Sequence, residues 1–542
     1  MGLHIHLMVQ LQSIDAGVWE AVYEESLSLL RRFPTPLLRF EACEVGEYRR
    51  YRLTDEILCD PGTEQERWMI SGDRVSGRRA ESFCLYRHLH RHLHRPLSRS
   101  PNASEPDVDV LWTDEQDATY PVGSGIDIFG SKTQGYPYHL AVLAVGILFE
   151  NRFPKHCFVH GQLEREPAKQ ALLWVNAVLG TDFQLPVCLD GRALHARLAC
   201  LYQNQEHLIE RFHTLFLGDQ QQALQTLIFY VEPEALQRYI VAELECYHSL
   251  SQRGVGRLLS AYLEVTQNID DLIDLVLATP RFQAEPGASL EALLKMLCRR
   301  FVTIDPVERK PLSALDQPVG QLTTIDDAFD RVFQTLLGEP SQARFYLSRA
   351  ELLERFSARE PELRDRFREI METEEAACRK ALAEISTVMS EVAVGDEPPS
   401  HDHPGPEKTV APQTEELLPG ERYLIHQIEQ QREKRDLVES EVIAEVLGVA
   451  VGQMLFNHPQ TFSSTEPEYY RKLIGWAGQT NEVVLWREAW EEIDCVSDTD
   501  VLRVLAVLML ITEREATFRQ FRTHTLENKQ LWPYLMKRAT ES

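Results

Sequence analysis

Apolar residues fall in short alternating or clustered runs over the first third of the chain, then settle into a repeat of three to four. Runs of β type occur at Leu3–Val9, Leu37–Cys43, Tyr48–Leu53, Trp68–Ser71, Val108–Trp112, Cys157–Val159 and Leu185–Leu189. Each is short and bounded by Gly, Pro or Asp, and Gly46 marks a turn between the second and third. Between them Ile14–Arg32, Arg79–His94, Tyr138–Arg152 and Glu164–Leu179 carry apolar residues at helical spacing. Residues 1–190 therefore read as one mixed domain, α+β or α/β.

From 191 to 390 the alternation is gone. Leu194–Leu217, Ala223–Tyr230, Glu234–Tyr247, Val255–Val276, Leu290–Phe301, Asp326–Leu337 and Arg349–Val392 all repeat with the helical period. No solenoid period of about 34 or 40 residues recurs, so this domain is expected to be an irregular, mainly α-helical bundle. Beyond 420 the segments Tyr423–Arg435, Glu439–Phe456, Tyr469–Trp476, Glu482–Glu492 and Val501–Thr523 read as helices, with Trp476, Trp486, Trp490 and Trp532 as core anchors. Residues 421–542 are expected to form a separate small all-α domain.

The stretch 391–420 differs in kind. It holds prolines at 398, 399, 404, 406, 412 and 419, seven acidic residues against Lys408, and no aromatic. Such a segment cannot bury enough apolar area to offset its ordering entropy, so it is expected to be an extended, disordered linker. Exposed linkers are where nicking concentrates, and Glu391, Gly395, Lys408, Val410 and Gly420 are the candidate positions around which it could be cut.

Composition narrows the function. With 83 Asp+Glu against 56 Lys+Arg the net charge is −27, which disfavours phosphate backbones and anionic lipid and leaves basic proteins as partners. The ten cysteines are scattered without a C-x-x-C pair and read as reduced thiols. The longest apolar run, Leu140–Phe149, is about half of what a bilayer requires, and no charged-then-apolar leader opens the chain. A cytoplasmic, non-membrane protein is expected.

Four groups of residues could carry chemistry. Gly125–Thr133 approaches a phosphate-cradling loop, but Ser131 is inserted before Lys132, and the reading is a Gly-rich turn ahead of a helix. Asp270, Asp271 and Asp274, and again Asp326, Asp327 and Asp330, each fit DDxxD, which on a helix could bridge Mg²⁺ to a diphosphate. Basic residues do not follow the first cluster, so these read as acids at helix starts, with a Mg-dependent enzyme as the alternative. His88, His90, His92 and His94, the pair His156 and His160, and the pair His4 and His6 lack a third ligand fixed by spacing. No metal or cofactor is expected from them. Finally, Arg74–Arg99 is a basic island in which Arg87, Arg91 and Arg95 would share a helical stripe able to dock an acidic partner. Nearby aromatics are few, so nucleic-acid binding through it is a secondary alternative.

The sequence shows no G-x-S-x-G, H-E-x-x-H or kinase motif, and no catalytic residue is assigned. The layout of a large N-terminal body, a Pro/acid linker and a small helical tail resembles the accessory protein of type III-E CRISPR systems. That resemblance implies a substrate of the caspase-like (CHAT) protease attached to the RNA-guided effector. It implies cleavage near the linker, release of a C-terminal fragment and a tie to a sigma factor. The expected function is thus a non-enzymatic interaction protein in an antiviral defence pathway, whose partners are proteins.

Overall fold

A computed structural model describes residues 3–73, 79–92, 109–112, 125–306, 308, 345–394, 417–436, 440–511 and 516–541. The fold is mixed: sheets with helices come first and a mainly helical region follows. Two compact units result, residues 1–189 together with 414–542, and residues 190–413.

The first unit opens with β1 (His4–Val9) and α1 (Ala16–Arg32), the latter capped by Asp15, whose carboxylate accepts from the Val18 N–H. A hairpin of β2 (Leu37–Val45) and β3 (Tyr48–Thr54) turns at Gly46, where φ is +60°. Then come β4 (Leu58–Cys59), β5 (Arg67–Asp73), β6 (Arg79–Tyr86), β7 (Ile126–Lys132), α2 (Tyr138–Arg152), β8 (Cys157–Gly161) and α3 (Arg165–Leu179). One sheet has the order β7-β1-β8, antiparallel throughout. Helix α2 is apolar all round and buried, and Gly146 lets it close on β8, since a Cβ there would lie 2.9 Å from a Val159 methyl. Its buried Glu150 accepts from the N–H groups of Val159 (2.7 Å) and Val187 (2.6 Å). That satisfies two donors the core would otherwise strand.

The second unit begins with α4 (Gly191–Ala199), α5 (Gln205–Leu215), α6 (Gln220–Tyr230), α7 (Pro233–Glu245), α8 (Arg253–Thr266) and α9 (Ile269–Ala278). It continues through α10 (Pro280–Gln283), α11 (Pro286–Arg299), α12 (Arg349–Arg359) and α13 (Arg364–Val394). Asp190, Asn204, Asp219, Asn268 and Ser348 cap α4, α5, α6, α9 and α12 with side-chain oxygens. The breaks in the helical pattern are thus local backbone chemistry. The stretch Asp326–Leu337 lies outside the described residues.

The tail comprises α14 (Glu421–Asp436), α15 (Ser440–Asn457), α16 (Pro467–Thr480), β9 (Val484–Trp486), α17 (Arg487–Asp494), α18 (Thr499–Leu510), α19 (Ala516–Glu527) and α20 (Trp532–Glu541). It differs from the sequence expectation in one respect that matters. The helix expected over Glu482–Glu492 starts instead with β9, which pairs in parallel with β3: Tyr51 with Val484, Arg52 with Leu485 and Leu53 with Trp486. The second sheet therefore runs β4-β5-β2-β3-β9, with β6 on β5, and the tail joins residues 1–189 in one compact unit. The β-branched and aromatic run Val483–Trp486 answers an open strand edge, and an edge overrides local helical spacing.

Other departures are smaller. The helix expected over Arg79–His94 is β6 followed by a short 3-10 turn at Leu89–Arg91. The strand expected at Leu185–Leu189 is a 3-10 turn at Val187–Leu189, and residues 109–112 form a turn. Of the four tryptophans, Trp490 and Trp532 are buried, Trp486 is half-buried and Trp476 is exposed. All ten cysteines are free.

Candidate functional site

The stretch 391–420 was the sequence's main pointer to function, and its two ends are now fixed. Glu391 lies in the last turn of α13, and Gly420, at φ +80°, packs against the backbone of Gln170 and Trp174 in α3. A Cβ at Gly420 would sit 2.4 Å from the Gln170 carbonyl oxygen, so both conformation and space require glycine. These two positions are parts of folded elements, and the cleavable stretch is correspondingly shorter. Gly395, Lys408 and Val410 lie outside the described residues.

The seam that seats the tail on the sheet is built around Arg50. Its guanidinium makes a bidentate pair with Asp494 of α17, at 2.7 and 2.8 Å, and lies 4.6 Å over the Trp490 ring. Trp490 donates its indole N–H to the Tyr51 carbonyl at 3.1 Å. The Arg49 N–H donates to the Gln479 side chain, and Tyr48 packs on Gly475, where a Cβ would lie 2.5 Å from its ring. At the other side, Tyr423 and Gln427 of α14 close a cleft of about 100 Å³ with Leu3, Tyr136, His139 and Gln162. That is too small for a drug-sized ligand.

Helix α15 is the described helix long and apolar enough, by length and composition, to cross a membrane. Its inner face is packed: Ile443, Ala444, Leu447 and Val451 are buried in the tail's core, and Gly448 sits against the Leu535 carbonyl of α20. Its outer face is also apolar, yet uncovered. Val442 is 50 % exposed, Val446 64 %, Val449 47 % and Phe456 75 %. These recur at i, i+4, i+7 and i+14 along one side of the helix, with the exposed Gln453 at i+11 among them. Sequence spacing shows a helix apolar on both sides; only the packing reveals which side is left bare.

Within the basic island, Arg87 is engaged inside the chain. Arg87 follows β6 and pairs with Glu66 (2.9 Å), Glu24 (3.2 Å) and Glu20 (3.5 Å). These carboxylates raise its pKa, the Glu66 hydrogen bond contributing most. Arg87 precedes the 3-10 turn that Arg91 closes, so these two share no helical stripe, and Arg95 lies outside the described residues. His88 pairs with Glu20 at 3.0 Å and His90 with Glu64 at 3.1 Å, while His92 is buried against Trp19 and Tyr86. His94 lies outside the described residues. Gly125–Thr133 is mostly strand β7 rather than a loop, and Thr133 is buried with its hydroxyl 2.7 Å from His139 Nδ1. Burial lowers the His139 pKa to about 4.

Asp270 and Asp271 occupy the first turn of α9, with their N–H groups held by the Asn268 cap. Asp270 pairs with Arg355 at 2.7 Å and Asp274 with Arg359 at 2.8 Å, both cations belonging to α12. These carboxylates therefore face guanidinium groups. Asp326, Asp327 and Asp330 lie outside the described residues.

A constellation that spacing did not expose lies on the three-stranded sheet. His6 of β1, Asp127 of β7 and His160 of β8 each offer a ligand atom, all within 4.8 Å of one another. Each residue comes from a different strand, so only the register reveals the group. Comparison with family models, with curated proteins and with solved structures finds no match for this chain.

Proposed function

We propose that this chain is a non-enzymatic interaction protein that presents the outer face of α15 to a protein partner, and that a protease severs it within the Pro/acid stretch ending before Leu417. The exposed stripe Val442, Val446, Val449 and Phe456 supports this reading most directly. A helix apolar on both faces is ordinarily buried on both, so a bare apolar face favours a partner that covers it. The net charge of −27 favours a partner with a basic rim around an apolar groove. The resemblance to the type III-E accessory protein supplies the two classes to test, the caspase-like protease of the effector and a sigma factor.

The seam changes what a cut would do. The β9–β3 pairing and the Arg50–Asp494 pair do not run through the backbone between 395 and 416, and a cut there would leave both contacts in place. Proteolysis therefore yields a nicked unit that is still assembled, and departure of the tail is a second step. The test incubates the purified chain with the activated effector protease, maps the new N-terminus and measures sigma-factor binding by wild type and by Val446→Glu/Val449→Glu. A cut between 395 and 416 and binding weakened at least tenfold by the double substitution are expected. Cleavage elsewhere, or binding indifferent to the two glutamates, overturns the proposal.

A further inference from the structure

The sheet β7-β1-β8 carries a group of side chains that the interaction reading leaves unused. Alternation along the middle strand sends Ile5, Leu7 and Val9, all fully buried, to the helix-covered face and His4 and His6 to the other. His160 joins that second face because it is the register partner of His6. Asp127 joins it through a bulge. His6 pairs with Gly130 and Leu7 with Phe129, but Met8 then pairs with Asp127, skipping Ile128. Ile128 and Phe129 are consequently buried in succession, and Asp127 is turned onto the histidine face.

The result is compact. Asp127 Oδ2 lies 3.3 Å from His6 Nδ1, and Oδ1 lies 3.7 Å from His160 Nε2. The two imidazoles stack with centroids 4.8 Å apart and an interplanar angle of 15°. His160 Nε2 is shielded from solvent, and the Asp127 carboxylate at 3.7 Å, longer than a good hydrogen bond, is the polar group it faces. Gly130 makes room for the group: a Cβ there would fall 2.4 Å from His6 Nδ1.

The geometry points to His6, Asp127 and His160 as a binding site for a divalent transition-metal ion of the zinc or ferrous class. Two imidazoles and one carboxylate on one side of an ion are a recurrent ligand set for such metals, whereas magnesium and calcium favour all-oxygen shells. Ligands from three adjacent strands would clasp the sheet. The Asp127 side chain is partly exposed, so water or a further ligand could reach the group from solvent. This site is independent of the interaction reading.

The test strips the full-length chain with chelator, titrates Co²⁺ while following its visible ligand-field absorption, and then displaces it with Zn²⁺. One equivalent of absorbing Co²⁺ is expected, released by zinc. Asp127→Asn and His160→Gln are each expected to weaken binding at least tenfold and to abolish the rise in thermal midpoint that zinc gives the wild type. His88→Gln/His90→Gln is expected to leave the titration unchanged. The proposal is overturned if no absorption develops, if it persists undiminished in folded Asp127→Asn and His160→Gln, or if it vanishes only in the His88/His90 variant.

Discussion

Nicking the chain within 395–416, with an inserted site for a specific protease, leaves two fragments whose affinity reports on the seam directly. Arg50 is its central residue. Its side chain is 12 % exposed and that of Asp494 48 %. A fully desolvated charged hydrogen bond contributes about 1.5–3 kcal/mol and an exposed ion pair about 0–1, so this half-exposed bidentate pair contributes about 1.5 kcal/mol. Stacking on Trp490 adds about 0.5 kcal/mol. Arg50→Ala is therefore expected to cost about 2 kcal/mol, which raises the dissociation constant of the nicked fragments about 30-fold. Asp494→Asn keeps the stack and one hydrogen-bonding partner and should cost about half as much. Size-exclusion chromatography establishes whether the wild-type fragments co-elute, and surface plasmon resonance measures the two variants. Wild-type fragments that part at micromolar concentration on cutting, or an Arg50→Ala effect under threefold, would refute the reasoning.

Three further outcomes follow from buried groups. Glu150→Ala removes the acceptor for the Val159 and Val187 N–H groups and is expected to destabilise by about 2–4 kcal/mol in denaturant unfolding, with Glu150→Gln milder because one carbonyl oxygen remains. Gly146→Ala thrusts a methyl to within 2.9 Å of a Val159 methyl between two buried elements, so a cost of about 1–3 kcal/mol is expected in the same assay. Burial holds His139 and His213 neutral, with pKa values lowered to about 4, whereas each titrates near 6.5 when unfolded. The unfolded chain therefore binds protons that the folded one refuses as pH falls below about 6.5, and the loss is complete near pH 4. At pH 5 it amounts to about 2 kcal/mol per histidine at most. Melting at pH 7 and pH 5, with His139→Gln flattening the difference, checks this; equal pH dependence in wild type and variant counts against it.

What local chemistry dictates, the sequence alone determined. The helical period placed α1, α2 and α3 within two residues, and the ends the structure gives α1 and α3 are local devices, the Asp15 cap and the left-handed Gly180. The Gly46 hairpin was equally legible, since it needs only two neighbouring strands and a residue free to adopt positive φ. The helical region after 190 followed from its repeat. Tertiary structure decided what depends on partners distant in the chain. Val484–Trp486 is a strand only because β3, over 400 residues earlier, offers an open edge to a run whose own spacing favours a helix. The same docking turned an expected free-standing tail into part of the first unit. Arg87 reads as a docking cation until Glu20, Glu24 and Glu66 close around it, and Asp270, read as a helix-start acid with metal binding as the alternative, is found paired to Arg355. His6, Asp127 and His160 lie up to 154 residues apart, and strand register with one bulge brings them together. Sequence periodicity shows which face a residue joins, but which residues meet there is set by pairing, and pairing is a long-range property of the folded chain.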